Sequence, residues 1–567
     1  MRSDLARMGE IAHLRPAIAH HDPVEDQRPN LQGGLLVEGQ AALDDSDWAS
    51  AQACFEQALG RAETAEALDG LAQALFWQGD YAGAIQRRER AFELLRAAGD
   101  DVRAAVAARF VAFLYGAVYG NGAAFGGWLA RARSLIEAAG DVPERARIEL
   151  TQASMSSDPT ARDRHLTAAL EIARRHGDTD TAFDVMSHRG LHLVARGNVD
   201  EGMALLDEAL AAVAGGEVHD LIAVGSMYCK MLHACEMTSD VRRAEDWLEL
   251  ADQFVARTNH RPISAICRTH YGGVLIAAGR WSDAEDALAT STRLYDQTYR
   301  ALRRSAVVRL AALRVRQGRL EEAAGLLAGA EHDSYAVRPQ VELHLARGEA
   351  ELATARIERF FRENSETELT APLLLLLVQA RLQRGAGEEA ERAAAQLRAL
   401  ADSRSSPHLG ALADHAAGLI AAPGAEATRY LEAALAAFGH LRLPLEEART
   451  RLDLAGLLAT AEPAMALVEA RAALERFQQL AAARDADAAT SLLRQLGVRG
   501  HTGPRGSGAL TRREQEVVEL VGAGLSNKDI AERLFVSPRT VEHHVSNVLA
   551  KLGLTTRGQI TAYALRQ

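Results

Sequence analysis

Residues 537–553 read SPRTVEHHVSNVLAKLG, a stretch that predicts a single amphipathic helix. Ser537 can cap the N-terminus, and Pro538 suits the first helical position, where a backbone N–H would have no partner. The apolar residues recur at i, i+4, i+7, i+8 and i+11, on one face, and they are Val541, Val545, Val548, Leu549 and Leu552. The opposite face is polar, so we expect one side to be buried and the other to face outward.

Three more short helices are predicted around this one by polar residues that can cap their N-termini. These starts lie at Thr511–Glu514, Ser526–Asp529 and Thr556–Gln559, and the first has the Ser/Thr-x-x-Glu spacing of a capping box. Only Phe535 and Val536 separate the second helix from the third start. The sequence therefore predicts four short helices, with a tight turn between the second and the third.

A polar outward helix that follows a shorter helix across a tight turn is typical of the helix-turn-helix, which enters the DNA major groove. The tail also resembles the C-terminal DNA-binding domain of LuxR-type transcription regulators. The motifs that carry this resemblance are LTRRE at 510–514, GLSNKDIA at 524–531 and VSPRTVEHHVSNVLAKLG at 536–553. The resemblance implies a four-helix LuxR-type helix-turn-helix domain at residues 510–567 that binds double-stranded DNA.

The same resemblance implies roles for individual side chains. The residues implied to read base edges are Glu542, His543 and Ser546. Those implied to contact phosphates are Lys528, Arg539, Thr540, His544, Asn547 and Lys551. Those implied to help dimerisation through the fourth helix are Ile560, Tyr563, Ala564 and Leu565. A carboxylate can accept from a cytosine amino group, whereas a simpler alternative for Glu542 is an ion pair with Arg539, three residues before it.

The charge of the chain is distributed unevenly. The whole chain carries −12, yet residues 508–567 hold eight Lys/Arg against six Asp/Glu, so the tail is +2 and the body −14. An acidic body repels DNA while the basic tail approaches it. We therefore expect strong binding to need two tails, that is, a homodimer on DNA with half-sites about 10 base pairs apart.

The body of the chain shows an internal repeat in which a turn residue is followed, five positions later, by a small residue. The copies are Ser46/Ala51, Gly79/Ala84, Gly197/Gly202, Ser239/Ala244, Gly279/Ala284, Gly318/Ala323, Gly348/Ala353 and Gly385/Ala390. Repeats made of two antiparallel helices stack into solenoids. The array resembles the tetratricopeptide repeat, with Trp48, Tyr81 and Trp281 at the aromatic position after the bend.

Domain boundaries follow from these patterns. We predict a flexible leader at 1–34, a tetratricopeptide-like solenoid at 35–400, further helical repeats at 401–497 and a Gly-rich linker at 498–509. The helices from 401 to 497 are similar to the segment that precedes the DNA-binding tail in large LuxR-type regulators. The ATPase module of those regulators is not found here. A Gly-rich segment at 116–127 predicts a long, flexible turn, with a ligand-binding loop as the alternative.

Several classes of protein are disfavoured by the sequence. A P-loop needs a Lys after a Gly-rich turn, and Lys230, Lys528 and Lys551, the three lysines of the chain, do not follow one. Neither His-Glu-x-x-His nor Gly-x-Ser-x-Gly occurs, so we predict no enzyme. The sequence shows no apolar run of membrane-spanning length and no apolar core of a signal peptide.

Five cysteines and histidines, spaced as on helices, are the one candidate for a metal site. They are Cys229, His233, Cys235, Cys267 and His270. They could converge on zinc, but their spacing matches no known metal motif and cysteines are common core residues in packed helices. We therefore predict core packing here, with no metal and no cofactor.

Taken together, these features predict an all-α protein, a tetratricopeptide-like helical solenoid followed by a LuxR-type helix-turn-helix. Its predicted function is sequence-specific transcription regulation in the bacterial cytoplasm, at the nucleoid and away from the membrane. A protein, peptide or small-molecule effector on the repeats would control how the tails are paired. One alternative is a tetratricopeptide scaffold recruited to DNA without promoter specificity, and another is an enzyme within the solenoid.

Overall fold

A computed structural model describes residues 31–156, 158–330, 333–364, 369–404, 406–498, 510, 512–534, 537–552, 554 and 556–564. These residues form helices joined by turns, and none of them lies in a β-strand. They divide into two compact units, one ending at Ala489 and the other beginning at Thr490. The predicted all-α class is confirmed, while most of the predicted leader and linker lies outside the described residues.

The first unit is a succession of helices, and from Leu31 to Leu480 each helix packs against the next along the chain. Its first helices are α1 Leu31–Asp44, α2 Trp48–Leu59, α3 Ala65–Gln78, α4 Tyr81–Ala98, α5 Asp101–Ala117, α6 Gly122–Ala139, α7 Glu144–Met155, α8 Pro159–His176, α9 Thr179–Ala195, α10 Val199–Ala214, α11 Leu221–Thr238 and α12 Val241–Thr258. They are followed by α13 Arg261–Ala277, α14 Trp281–Gln297, α15 Arg303–Gln317, α16 Leu320–Leu327, α17 Val337–Ala346, α18 Ala350–Glu363, α19 Thr370–Gln383, α20 Gly387–Asp402, α21 Pro407–Ile420, α22 Ala425–His440, α23 Pro444–Leu458, α24 Pro463–Leu480 and α25 Ala483–Gln495.

The repeat motif explains the bends between paired helices. Every predicted turn residue has a positive φ, between 57° and 88°, and these residues are Ser46, Gly79, Gly197, Ser239, Gly279, Gly318, Gly348 and Gly385. Every small residue five positions later is buried. At Gly202 an added Cβ would lie 2.6 Å from the carbonyl oxygen of Gly190, so the backbones of α9 and α10 approach too closely for any side chain. The tetratricopeptide-like solenoid is confirmed.

The Gly-rich segment differs from its prediction. Gly116 is still in α5, and α6 begins at Gly122, so only a short turn separates two regular helices. Asn121 caps α6 by accepting a hydrogen bond from the backbone N–H of Ala124 at 3.0 Å. Gly116 allows Phe125 to pack closely, because a Cβ there would lie 3.1 Å from the ring. The prediction of a long turn was wrong because Gly116 lies within α5 and Gly122, Gly126 and Gly127 lie within α6, which leaves only residues 118–121 between the helices.

Helices far apart in the sequence share one hydrophobic cluster. It joins residues of α1–α5, of α13–α15 and of α23–α25. Leu480 shows how closely two of these segments meet, because a Cβ at Gly279 would lie 2.5 Å from Leu480 Cδ2. Outside this cluster, the turn before α10 lies close to the turn after α20, because a Cβ at Gly197 would lie 2.9 Å from Arg404 Cδ. Successive turns of the solenoid are therefore packed on one another.

The second unit contains the end of α25 and four short helices. These are α26 Arg512–Gly522, α27 Asn527–Leu534, α28 Pro538–Leu552 and α29 Arg557–Ala564. Their number and order are those predicted from the capping residues. They enclose a separate small hydrophobic core.

Candidate nucleic-acid interface

The predicted caps start the helices of the second unit. Ser526 Oγ accepts from the N–H of Asp529 at 3.3 Å, and the Asp529 carboxylate accepts from the Ser526 N–H at 3.1 Å. Ser537 Oγ accepts from the Thr540 N–H at 3.1 Å and so starts α28. Each cap satisfies backbone donors that a helix leaves without partners at its N-terminus. Thr511 lies outside the described residues.

One face of α28 is buried. Val541 and Val548 are completely inaccessible to solvent, and Val545 is 9% exposed. They pack with Val517, Ile530 and other apolar residues of α26, α27 and α29. Burying this stripe fixes the rotation of α28 about its axis.

The opposite face of α28 is open to solvent. Glu542 and Ser546 are exposed, whereas Thr540, His544 and Asn547 are partly exposed. Lys528 is exposed on α27. The side chains of Arg539, His543 and Lys551 lie outside the described part of the chain, and so does the alternative ion pair between Arg539 and Glu542.

Two arginines hold α27 in place, a role that sequence reasoning missed. Arg557, at the start of α29, donates to Asn527 Oδ1 at 2.5 Å and to the Leu525 carbonyl at 2.6 Å. Arg513 in α26 donates to the Leu534 carbonyl at 2.5 Å, at the other end of α27. These guanidinium groups satisfy polar groups at both ends of the helix. Nothing in the sequence near either arginine indicates these contacts, because each joins residues more than 20 positions apart.

The residues predicted to dimerise differ in accessibility. Ile560 is completely buried in the core of its own unit, and Tyr563 and Ala564 are partly buried against that core. Ala564 also sits close to α26, since a Cβ at Gly522 would lie 2.6 Å from its Cβ. Leu565 lies outside the described residues. Of the three that the structure describes, Tyr563 and Ala564 keep some surface for a partner.

The cysteines and histidines of the first unit do not converge as one group. The Sγ atoms of Cys229 and Cys267 are 3.7 Å apart, and the rings of His233 and His270 stack at 4.3 Å. Cys235 is buried in the surrounding apolar cluster, and burial raises its pKa to about 12. Two separate pairs result, one of thiols and one of imidazoles.

Glu236 joins the two imidazoles, and three groups thereby come close enough to share a cation. Their nearest ligand atoms lie within 4.8 Å of one another. Arg309, however, already donates to both carboxylate oxygens of Glu236 at 2.6 Å, and His270 Nδ1 is 2.7 Å from one of them. Burial alone would raise the pKa of Glu236, but Arg309 and His270 outweigh it and hold that pKa well below its usual range. This cluster is a buried ion pair whose carboxylate is already matched by a cation.

Within the described part of the chain, no helix combines the length and apolarity required to cross a membrane.

Comparison with known proteins places the tail in a family. Residues 508–564 match the family described as "Bacterial regulatory proteins, luxR family". A Mycobacterium bovis protein named as an HTH-type transcriptional regulator is 60% identical over 63 residues, which are 11% of this chain and 7% of that protein. The oxygen regulatory protein NreC of Staphylococcus aureus is 45% identical over 58 residues, 10% of this chain and 27% of NreC. The chain thus spans well under two thirds of the length of these relatives.

Solved structures resemble the chain weakly. The Cut9–Hcn1 complex of the APC/C has a TM-score of 0.35 at 12% identity, covering 94% of this chain and 96% of that one. Yeast Tom70 has a TM-score of 0.31 at 11% identity, covering 82% and 97%.

Proposed function

Because residues 508–564 form a LuxR-family helix-turn-helix domain, we propose that this protein is a sequence-specific DNA-binding transcription regulator. The observation that carries the proposal is the arrangement of α28. Its valines are buried, while Glu542 and Ser546 are exposed on the other side. A helix with this division can place polar side chains against base edges without disturbing its own core.

We assign base reading to Glu542, His543 and Ser546 on this face. The groups assigned to phosphate contacts are Lys528, Arg539, Thr540, His544, Asn547 and Lys551. Contacts to phosphates fix the register of the domain on DNA, and contacts to bases select the sequence. The exposure of Lys528 and the partial exposure of Thr540, His544 and Asn547 support this division.

Two copies of the domain are proposed to bind a two-fold symmetric site. A single domain has little net positive charge, so one copy would bind weakly and a pair would add the two sets of phosphate contacts. The partly exposed residues Tyr563 and Ala564 of α29 are proposed to face the partner, whereas the buried Ile560 would support that surface from behind. The protein would act in the cytoplasm, at the nucleoid.

The repeat region is proposed to receive the signal. Solenoids of helix pairs present extended surfaces to their ligands, and an effector would change how the two tails are paired or exposed by binding one arrangement better than the other. The effector can be a protein, a peptide or a small molecule.

Footprinting with the full chain on genomic DNA tests the proposal. Protection of defined sequences, lost on deleting residues 508–567, is the expected result. Uniform protection of all DNA would instead favour a scaffold that is recruited to the nucleoid without promoter specificity.

A further inference from the structure

A cavity of about 830 Å³ lies within the first unit. Helices α7, α8, α9 and α11 line one side of it, and residues from α18 and from the turns before α17, before α19 and after α20 line the other. Its size is within the range of small-molecule sites in proteins. Two distant parts of the solenoid thus enclose one space.

The wall of this cavity carries more cations than anions. Its cationic side chains are Arg162, Arg196, Lys230 and Arg404, and its carboxylates are Asp158 and Glu363. Both carboxylates accept hydrogen bonds from residues close to them in the sequence. Asp158 accepts from the Thr160 N–H at 3.0 Å, and Glu363 accepts from Arg359 at 2.8 Å.

Arg162 differs in its partners from Arg196 and Lys230, two other cations of the cavity wall. Arg196 lies 3.4 Å from Asp163, and Lys230 lies 3.0 Å from Asp184. Arg162 donates instead to neutral acceptors, the Ser156 carbonyl at 2.6 Å and His192 Nδ1 at 3.2 Å. Among the described residues no carboxylate pairs with Arg162, so its charge is left without a counter-ion.

His192 holds Arg162 in place at the wall of the cavity. A guanidinium can only donate hydrogen bonds, so His192 Nδ1 must be the acceptor. The ring proton of the neutral imidazole therefore resides on Nε2. That Nε2 is buried and makes no hydrogen bond to any described residue, although it lies 3.4 Å from the Asp163 carboxylate. Burial lowers the pKa of His192, which favours the neutral ring.

The rest of the wall is apolar. It includes Leu166, Leu191, Met237 and Phe360, and Leu166 and Phe360 are each 3% exposed. An unpaired guanidinium beside apolar side chains favours a ligand with an anionic group at one end and an apolar body at the other.

We propose that this cavity is the effector site and that it binds a small organic anion, a carboxylate or a phosphate carried on an apolar body. The anionic group would lie against Arg162 and His192, and the apolar body against Leu166 and Phe360. This inference rests on the proposed sensing role of the repeat region. Because its walls come from two turns of the solenoid, a bound anion would also tie those turns together.

The test is calorimetric titration of the full chain, without DNA, with 1-naphthoate, 1-naphthyl phosphate and the neutral 1-naphthol. We expect one anion per chain, bound about ten-fold or more tightly than 1-naphthol. Whichever of the two anions binds with the higher affinity shows whether the site prefers a carboxylate or a phosphate. Equal affinity for 1-naphthol, or no binding of either anion, would overturn the proposal.

Three variants and a control locate the binding. Arg162→Gln should weaken anion binding about ten-fold or more, and Arg162→Lys should retain most of it. Ala195→Phe, which fills the cavity from its wall, should abolish binding even if Arg162→Gln does not fold. Arg133→Gln, an exposed arginine of α6 that pairs with Glu137, should bind as the wild type does. Unchanged binding in Arg162→Gln or Ala195→Phe would overturn the site.

A footprint of the same ligand-free preparation separates this inference from the proposed function. Defined protection without anion binding would refute the effector site alone, whereas uniform protection would refute the regulator.

Discussion

The indole Nε1 of Trp48 donates a hydrogen bond of 3.1 Å to the carbonyl of Thr258, 210 residues further along the chain. Trp48 also stacks on Trp77 with ring centroids 4.9 Å apart. Trp48 follows the first bend and Thr258 ends α12, so this bond joins two turns of the solenoid. Both residues are buried, which protects the bond from water.

Replacing this indole should therefore weaken the packing between turns. Trp48→Phe leaves the buried Thr258 carbonyl without its donor and should lower the free energy of unfolding by about 1–3 kcal/mol. Denaturant unfolding of the full chain measures the change. Trp247→Phe is the matched control, because Trp247 is only partly buried. An equal decrease in the free energy of unfolding in the two variants would mean that the hydrogen bond from Trp48 to Thr258 does not contribute to stability.

The arginine that holds α27 gives a second prediction. Arg557→Ala removes donors to Asn527 and to the Leu525 carbonyl and should destabilise α27 locally by about 1–3 kcal/mol. Hydrogen exchange at the amides of α27 should become faster. Arg533→Ala removes an exposed arginine of the same helix and should leave these rates unchanged. Similar exchange in both variants would contradict the role assigned to Arg557.

Buried His260 predicts that stability depends on pH. Its ring is T-shaped against Trp77, with ring centroids 4.7 Å apart, and neither ring nitrogen has a hydrogen-bond partner among the residues that the structure describes. Burial lowers its pKa to about 3. Between about pH 6.5 and that value the unfolded chain binds a proton that the folded chain does not, so stability is lost as pH falls. The loss from this one residue is about 1.4 kcal/mol per pH unit in that window.

Melting temperatures from pH 7.5 to 5 test this prediction. His260→Phe should reduce the slope below about pH 6.5, because phenylalanine cannot take up a proton. His219→Gln is the control, since His219 has an 82% exposed side chain. A slope unchanged by His260→Phe would show that other buried groups control the acid sensitivity.

The roles assigned to the outward face of α28 predict two different effects of mutation on DNA binding. Glu542→Ala should change the preferred base at one position, because it removes an acceptor for base edges. Arg539→Ala should weaken binding to every sequence and lower the salt slope by about one unit.

Binding to a set of single-base operator variants at several salt concentrations distinguishes the two effects. Glu519→Ala, which removes an exposed carboxylate from α26, should alter neither property. If Glu542→Ala behaves like this control, Glu542 is not a base reader.

The local elements could be predicted from sequence because their signals are local. Ser526, Ser537 and Thr556 each start a helix of the second unit, and Gly79 and Gly279 each form a bend with positive φ. Capping and left-handed turns depend on residues a few positions apart. The buried valines of α28 could also be predicted, because their helical spacing involves residues only a few positions apart.

The long-range features could not be predicted in this way. Nothing near Trp48 indicates that its indole will meet Thr258, and the contacts of Arg557 and Arg513 depend on how the helices pack. The cavity arises only when α8 and α9 meet α18 across two turns of the solenoid. Superhelical packing of repeats depends on small rotations in every repeat, which a single sequence does not display.

Selection of duplexes from a random pool by the full-length chain tests the central claim most directly, with a chain ending at residue 507 as the control. We predict enrichment of a two-fold symmetric sequence with half-sites about 10 base pairs apart, and no enrichment by the shortened chain. A pool that stays random, or one enriched equally by the shortened chain, would contradict the account.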